Sequence, residues 1–195
     1  MTKFLRRASP DEPETIELLV REAKGLLPPD IQTADAQAAV NSLLRRVEII
    51  QDRRKKIKLI RIIAHLDAPW VPNVFVELLS DPSEEVRDVA VRELAQREDW
   101  ATSALYRRLS KPPWYGRSAA LRVLGLRKDE EAIPSIRLVL DDPNADVKCA
   151  AAQCLGEIGG PESRALLVKL ARDPNPYVRS AAACSLDRLC DFKFS

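Results

Sequence analysis

A basic residue recurs along this chain at a nearly constant interval, and this periodicity constrains the fold more than any other sequence feature. It occupies positions 87, 117, 148 and 179, with spacings of 30, 31 and 31 residues. A leucine follows each one seven positions later, at Leu94, Leu124, Leu155 and Leu186. A fixed period of this length is typical of stacked helical repeats and not of a domain with one compact core.

Each period has the pattern of two helices. The first carries apolar residues at helical spacing, as in Val71, Val74, Phe75 and Leu78. An Asp-Pro pair then separates the helices, because proline disfavours helix in the residue before it and suits the first turn of the next. The second helix is rich in alanine, which allows neighbouring helices to approach closely. We therefore predict an all-α solenoid of about five stacked helix pairs, without a sheet.

The predicted domain organisation has two parts. Residues 1–35 form an N-terminal tail and a capping helix, which begins near Pro13 and stops at Pro28. This helix is expected to cover the open end of the array, which would otherwise expose an apolar face. The repeat array occupies residues 36–195. Its approximate repeats are 36–66, 70–97, 100–127, 131–158 and 162–190.

The second helices carry a pattern that resembles a known family. The consensus Asp-Pro-x-x-x-Val-Arg-x-Ala-Ala-x-x-Leu-Gly is similar to HEAT repeats, in particular to the short HEAT-like repeats named after phycobilisome lyase subunits. The resemblance is strongest over residues 131–190 and good over 70–126. It implies an α-solenoid fold. It does not specify an activity, because the family includes scaffolds, transport receptors, bilin lyase subunits and DNA glycosylase relatives.

The resemblance also implies a structural role for the recurring acidic and basic positions. In HEAT-like proteins these positions form hydrogen bonds and ion pairs that connect one repeat to the next, and aspartate also caps the following helix. Catalytic pairs rarely occur three times in register, which favours the structural interpretation over a catalytic one. The positions predicted to connect repeats are Asp81, Arg87, Arg117, Asp142, Lys148, Asp173 and Arg179.

A stripe on the second helices is the first candidate binding surface. Arg61, Arg92 and Arg122 lie two residues before the leucine position of their repeats, followed in register by Gln153 and Cys184. In HEAT arrays the second helices line the concave face, so the resemblance implies that these residues face a groove. The alternative is that the arginines only keep an exposed helix face hydrated and bind no partner.

A basic lobe precedes this stripe. Residues 41–66 carry eight basic and two acidic residues, a net charge of +6, which leaves −4 for the rest of the chain. Arg53, Arg54, Lys55 and Lys58 stand at the start of a predicted helix, where the helix dipole disfavours cations. Such a cluster suits an acidic protein surface, nucleic-acid phosphates or an anionic membrane. A merely solvated face is the alternative.

One turn departs from the repeat pattern. The segment Lys111-Pro-Pro-Trp-Tyr-Gly-Arg117 has Lys111 where the other turns have aspartate. Trp114 and Tyr115 in this segment are second-rank candidates for partner binding, since such aromatic residues are enriched in interface hot spots. The alternative is that they cover the core between repeats.

Nothing in the sequence predicts catalysis, a metal or a cofactor. The single histidine, His65, has no candidate nucleophile nearby, and the cysteines lack the Cys-x-x-Cys spacing of zinc sites. The N-terminus lacks the apolar region of a signal peptide, and no run is long and apolar enough to span a membrane. We therefore expect a cytoplasmic, non-enzymatic protein with reduced thiols. The four cysteines are Cys149, Cys154, Cys184 and Cys190.

The sequence thus predicts a protein-binding scaffold or adaptor. A partly basic concave groove would hold an acidic protein or peptide segment through charge-assisted hydrogen bonds. Binding of nucleic-acid phosphates through the same groove is the alternative, and a role as a bilin-lyase-like or other enzyme-accessory subunit is a further one, which only the resemblance suggests. Partner identity and oligomeric state stay open.

Overall fold

The computed structural model describes residues 36–66, 68–97 and 102–191. Within these ranges ten α-helices follow one another as five consecutive pairs, which confirms the predicted all-α fold built from helix pairs. The predicted N-terminal capping helix lies outside the described residues. The helices are α1 Ala36–Ile49, α2 Arg53–Ala64, α3 Val71–Leu78, α4 Glu84–Gln96, α5 Ser103–Arg108, α6 Trp114–Leu126, α7 Ile133–Arg137, α8 Ala145–Ile158, α9 Gly160–Leu170 and α10 Pro176–Asp191; a 3-10 turn, Glu130–Ala132, precedes α7.

The chain divides into two compact units, Met1–Leu78 and Leu79–Ser195. In the described part of the first unit, α1 contacts both α2 and α3. Leu43 from α1, Leu59 and Ile63 from α2, and Phe75 from α3 are fully buried. These residues occupy the apolar positions of their helices at helical spacing, so their burial provides the hydrophobic core of this unit.

The second unit stacks its helices in chain order. The second helix of each repeat contacts that of the next, from α4 to α6, α8 and α10, and α9 contacts α7, α8 and α10. The periodic leucines Leu94, Leu124 and Leu155 are fully buried. The stack therefore buries three of the four leucines that define the period in the sequence, and the fourth, Leu186, is half-buried.

Glycines allow the second helices to approach closely. A Cβ atom added at Gly125 would lie 3.1 Å from the Cα atom of Cys154, and one added at Gly156 would lie 2.8 Å from the Cβ atom of Ser185. Gly159 ends α8 with a positive φ of 78°, which suits glycine at a helix C-terminus. This close packing holds α6, α8 and α10 in one register.

Candidate partner-binding surface

Ion pairs join consecutive repeats in the second unit. The Arg117 guanidinium donates two hydrogen bonds to the Asp142 carboxylate, from Nε at 2.7 Å and from Nη2 at 2.9 Å. Lys148 Nζ lies 2.7 Å from Asp173 Oδ2. These side chains are no more than 15% exposed, so water screens both ion pairs weakly. We call each such pair, formed by a basic residue and the aspartate 25 positions later, a rung.

The rungs do not form between the acidic and basic residues that stand six positions apart in the sequence. Lys148 stands six positions after Asp142 of its own turn, but its carboxylate partner is Asp173 of the following repeat, and Arg117 likewise binds Asp142 of the repeat after its own. Towards its own turn a basic residue uses backbone acceptors instead. Arg179 Nη1, for example, donates to the carbonyl oxygens of Asp173 at 2.9 Å and Pro174 at 2.8 Å. Arg179 thus contacts the turn before its own helix, whereas the rungs of Arg117 and Lys148 connect their helices to the next repeat.

The aspartate of each rung also organises its turn. Asp142 Oδ1 accepts the Asn144 amide at 2.9 Å, and Asp173 Oδ1 accepts the Asn175 amide at 2.8 Å. Burial raises the pKa of Asp173, but the hydrogen bonds from Lys148 and the Asn175 amide, with the charges of Lys148 and Arg179, bring this pKa below its ordinary value. The Asp173 carboxylate therefore stays ionised through the mildly acidic range.

The turn before α6 has no aspartate that could accept a rung from the preceding repeat. Lys111 stands six residues before Arg117, which is the position that Asp142 occupies relative to Lys148. The side chain of Lys111 is exposed. Arg87 of the preceding repeat has no carboxylate within ion-pair distance among the described residues. Its Nη1 donates to the carbonyl oxygens of Asp81 at 2.8 Å and Pro82 at 2.9 Å. Its guanidinium carbon lies 4.7 Å from the centroid of the Tyr115 ring.

The aromatic residues of this turn form one cluster with Arg87. The rings of Trp114 and Tyr115 meet edge to face, with centroids 5.7 Å apart and planes at 76°. Trp114 is 42% exposed, and Tyr115 is half-buried. We name Arg87, Lys111, Trp114 and Tyr115 the cationic-aromatic turn. Tyr115 packs between repeats beneath Arg87, while Trp114 reaches solvent, and a role of either residue in partner binding stays a prediction.

The second-helix stripe of this unit is exposed as a set. Arg92, Arg122, Gln153 and Cys184, which belong to α4, α6, α8 and α10, are each exposed. Arg122 Nη1 lies 2.8 Å from Asp88 Oδ1, and Arg92 Nε donates to the Asp88 carbonyl oxygen at 3.3 Å. Asp88 thus offsets part of the positive charge that the arginines bring to the stripe.

Thiol chemistry is disfavoured at the two less exposed cysteines of α8. Burial, with the nearby charges of Asp146 and Asp173, raises the pKa of Cys149, and burial raises the pKa of Cys154 still further. Both thiols are therefore protonated at neutral pH. Cys184 and Cys190 on α10 are exposed. Among the described residues, no group of three or more His, Cys, Asp or Glu side chains could hold a metal ion.

The basic lobe lies on α2 in the first unit. Arg53, Arg54 and Lys55 are exposed, and Lys58 is half-buried. Asp52 caps this helix by accepting the Lys55 amide at 2.9 Å, and this hydrogen bond lowers the pKa of its carboxyl group. Asp52 therefore relieves the conflict between the basic residues and the helix dipole.

Arg61 belongs to α2 and to the first unit, whereas Arg92 and Arg122 belong to the second unit. A continuous stripe from Arg61 onward therefore stays a prediction. His65 follows α2, where its Nδ1 lies 2.8 Å from the carbonyl oxygen of Arg61. This contact occupies one ring nitrogen at the end of the helix.

Two shallow clefts repeat along the second unit. One of about 440 Å³ is bounded by Leu109, Asp142 and Pro143, and one of about 500 Å³ by the equivalent Leu140, Asp173 and Pro174. The aspartates in these clefts already serve rungs. Their charges are therefore compensated within the chain, and the clefts offer less for an ionic ligand than the cationic-aromatic turn does.

Some contacts were not identified from the sequence. Tyr106 donates a hydrogen bond to Asp129 Oδ2 at 2.9 Å, and its pKa is raised by burial and by Asp129. Lys169 Nζ lies 3.0 Å from Asp141 Oδ2. Asp52 had a recognisable signal, an acidic residue directly before a helix start. The other contacts join residues 23 and 28 positions apart and become visible only when the stacking is known.

Comparison with known proteins supports the repeat assignment. The HEAT-repeat family model matches residues 102–187, so the prediction of HEAT repeats is confirmed for this segment. Deoxyhypusine hydroxylase from Danio rerio is 42% identical over 65 residues, which are 32% of this chain and 21% of that protein. The chain therefore matches about a fifth of the length of this relative.

One solved structure with a TM-score above 0.5 supports the same assignment of fold. The complex of CpcE and CpcF of phycocyanin lyase from Nostoc sp. PCC7120 has a TM-score of 0.51 at 20% identity, covering 81% of this chain and 66% of that one. A designed armadillo repeat protein in complex with the peptide (KR)4 has a TM-score of 0.44 at 19% identity, covering 93% and 95% of the two chains. In the part of the chain that the structure describes, no helix has the length and apolar character needed to cross a membrane.

Proposed function

We propose that this chain, whose residues 102–187 are HEAT repeats, is a non-enzymatic scaffold that binds an acidic protein or peptide segment on the second-helix stripe. The observation that carries the proposal is the joint exposure of Arg92 and Arg122 on adjacent second helices. Stacked helices hold such side chains at fixed spacing, so a partner meets a preorganised surface and loses less entropy on binding.

The electrostatics of the stripe support an exchangeable contact. The Arg122 and Asp88 side chains are 48% and 38% exposed. An ion pair in water is worth little, about 0–1 kcal/mol, so a partner carboxylate competes with Asp88 for the guanidinium at low cost. Asp88 also limits the net charge, which favours a partner with a few well-placed carboxylates over a uniformly charged polymer.

Absence of catalysis is part of the same proposal. The stripe contains arginines, Gln153 and Cys184, and it lacks a base next to a nucleophile. The similarity to deoxyhypusine hydroxylase covers a fifth of that protein, and we do not extend its activity to this chain. An assay for enzymatic activity would be secondary to an assay for binding.

Binding to nucleic-acid phosphates is the alternative function. The exposed Arg53, Arg54 and Lys55 at the start of α2 favour it. This alternative predicts a steep fall in affinity with salt, because each neutralised phosphate releases counterions. Aromatic residues that would stack on single-stranded bases are absent from the sequence of this stretch.

An enzyme-accessory role is a further alternative. It is supported by the fold similarity to the phycocyanin lyase complex, at 20% identity. This alternative predicts that the chain binds a bilin chromophore, which an absorbance change on titration would detect. The scaffold proposal predicts no such change.

An affinity pull-down with variant chains tests the proposal. Wild-type chain, Arg92→Glu and Arg107→Glu are incubated with native lysate, with and without nuclease, and retained proteins are identified by mass spectrometry. Arg107 is exposed on α5, a first helix, and undergoes the same charge change, so it is the matched control. Circular dichroism checks that each variant is folded.

If the scaffold proposal is correct, the wild type and Arg107→Glu retain one protein after nuclease treatment. Arg92→Glu does not retain that protein. Recovery of nucleic acid, with proteins lost after nuclease, would support the alternative instead. If Arg92→Glu unfolds the chain, the stripe is structural and its assignment as a binding surface is wrong.

A further inference from the structure

The series of rungs is interrupted at the cationic-aromatic turn. Arg117 and Lys148 each bind the aspartate of the following repeat at 2.7 Å. Arg87 occupies the equivalent basic position one repeat earlier, but the following turn offers Lys111 in place of the aspartate. Among the described residues, Arg87 therefore contacts backbone carbonyls and an aromatic ring at the position where Arg117 and Lys148 bind a carboxylate.

Two tyrosines at equivalent positions of their repeats show the effect of the missing carboxylate. Tyr115 and Tyr177 stand 62 residues apart, two periods of the repeat, each as the second residue of its helix. Before Tyr177 the rung is complete, because Lys148 binds Asp173, and the Tyr177 side chain is left 76% exposed. Before Tyr115 the rung is missing, and Arg87 lies over its ring. The ring thus takes the place of the absent carboxylate.

The start of α6 also differs from that of α8. At α8, the Asn144 side chain accepts the Asp146 and Val147 amides at 2.8 and 3.3 Å. At α6 the N-cap residue is Pro113, and no side chain among the described residues caps the helix. The first amides of α6 therefore add their partial positive charge to that of Arg87 and Lys111.

From these observations we infer that the cationic-aromatic turn binds a carboxylate side chain of an acidic peptide segment, which completes the missing rung in trans. The carboxylate would pair with Arg87 and the start of α6, and an apolar residue beside it would pack on Trp114. This inference rests on the proposed function, because it assigns a second contact point to the same acidic partner.

The geometry of α6 connects this turn to the stripe. Tyr115 and Arg122 are seven residues apart on one helix, so they lie on the same face about two turns from each other. An extended segment that contacts Trp114 and Tyr115 at one end can therefore reach Arg122 at the other. The spacing suits a segment with carboxylates at both points and an apolar residue near the first.

An acidic peptide fits the turn better than a nucleic acid does. The turn combines one guanidinium, one ammonium group and a partly exposed indole, which is a composition typical of protein hot spots. A nucleic-acid backbone would need a track of several cations, whereas Arg117 in the same turn is already paired with Asp142. Phosphate binding is therefore an outcome that the test must be able to detect.

The first part of the test measures binding. The probe is a fluorescein-labelled peptide, Glu-Leu-Asp-Leu-Glu-Leu-Asp, and its twin has Gln and Asn in place of the acids. Trp114→Ala removes the exposed anchor, and Tyr177→Ala is the matched control at the first turn of α10. We expect Trp114→Ala to raise the Kd of the acidic peptide about tenfold and Tyr177→Ala to leave it unchanged.

The second part supplies the carboxylate within the chain. Lys111→Asp gives Arg87 an internal partner, and we expect it to raise the Kd of the peptide about tenfold without lowering the Tm. Arg172→Asp makes a similar charge change at an exposed arginine of the last repeat and should alter the Kd less than about twofold, since distant charges are screened. A lower Tm for Lys111→Asp would contradict the missing rung.

The outcomes separate this inference from the proposed function. If Arg92→Glu weakens binding of the peptide but Lys111→Asp and Trp114→Ala do not, the scaffold proposal stands and the inference is overturned. If the acidic peptide and its amide twin bind alike, or if neither binds, both are contradicted. If an oligothymidylate probe competes and depends on Lys111, the site binds phosphates and the inference is overturned.

Discussion

The second unit contains two kinds of junction between repeats, and they differ in whether the turn offers an aspartate to the basic residue of the preceding repeat. At the junctions of α6 with α8 and of α8 with α10, a basic residue binds the aspartate of the next turn at 2.7 Å. At the junction of α4 with α6, Lys111 replaces that aspartate and Arg87 contacts the Tyr115 ring. At the complete junctions the basic residue and the aspartate are paired within the chain. At the incomplete junction Arg87 contacts backbone carbonyls and the Tyr115 ring, and the Trp114 indole is exposed.

In the binding role that we propose, this difference is what creates the site. A regular array satisfies each acidic and basic position with its neighbours, so a site arises where one repeat departs from the pattern. The departure at Lys111 leaves the helices in place, because the leucines that pack the junction, Leu94 and Leu124, remain fully buried. The residues that pack this junction are thus different from those proposed to bind a partner.

The largest expected effect breaks a complete rung. Asp142→Ala leaves the Arg117 guanidinium largely buried without its carboxylate, and we expect the free energy of unfolding to fall by about 2–3 kcal/mol. Glu162→Ala breaks the exposed Arg137–Glu162 pair, whose side chains are 58% and 52% exposed, and should cost less than about 0.5 kcal/mol. Urea unfolding followed by circular dichroism measures both. Equal losses would contradict the distinction between rungs and surface pairs.

The next effect uses pH to weaken a rung. The pKa of Asp173 is lower in the folded than in the unfolded chain, so its stabilising contribution is present above the unfolded value, about 4. The contribution is lost as the pH falls through the lower folded value. The difference in unfolding free energy between wild type and Asp173→Asn should therefore shrink as the pH falls below the unfolded value of about 4. A difference that stays constant over this range would mean that the Lys148–Asp173 pair contributes nothing.

A smaller effect compares the two equivalent tyrosines. Tyr115→Ala removes the ring beneath Arg87, and we expect a loss of about 1–2 kcal/mol from the cation–π contact and the buried ring surface. Tyr177→Ala removes a ring that is 76% exposed and should change the free energy of unfolding by less than about 0.5 kcal/mol. Thermal unfolding of both variants tests this order, and a reversed order would refute the contact as a substitute for the rung.

The smallest effect concerns the stripe. Arg122→Gln removes the exposed contact with Asp88, and the free energy of unfolding should change by less than about 0.5 kcal/mol. The same substitution should still weaken binding of the acidic peptide. A large loss of stability in urea unfolding would show that the stripe holds the repeats together and is not free for a partner.

Much of the fold could be predicted from the sequence because each repeat carries its own local signals. The apolar spacing of Val71, Val74, Phe75 and Leu78 predicted the helix observed as α3, and the leucine period identified three buried positions, Leu94, Leu124 and Leu155. These signals act within one helix pair, over a few residues, which is the range in which sequence patterns determine structure.

The site was predictable in part. The sequence identified the unusual turn at Lys111 with Trp114 and Tyr115, and it identified the arginines of the stripe. It did not indicate that Arg87 faces Tyr115, because that contact depends on how consecutive repeats stack. Pairing across 25 residues, as in Arg117 with Asp142, likewise follows from the stack and not from the turn itself.

Titration of the labelled acidic peptide into wild-type chain, Arg92→Glu and Arg107→Glu tests the central claim most directly. All three variants are measured at one ionic strength, after circular dichroism has established that they are folded. The account predicts that Arg92→Glu raises the Kd about tenfold while Arg107→Glu matches the wild type. Equal affinities for all three chains, or equal binding of the amide twin, would contradict the assignment of the second-helix stripe as a surface for an acidic partner.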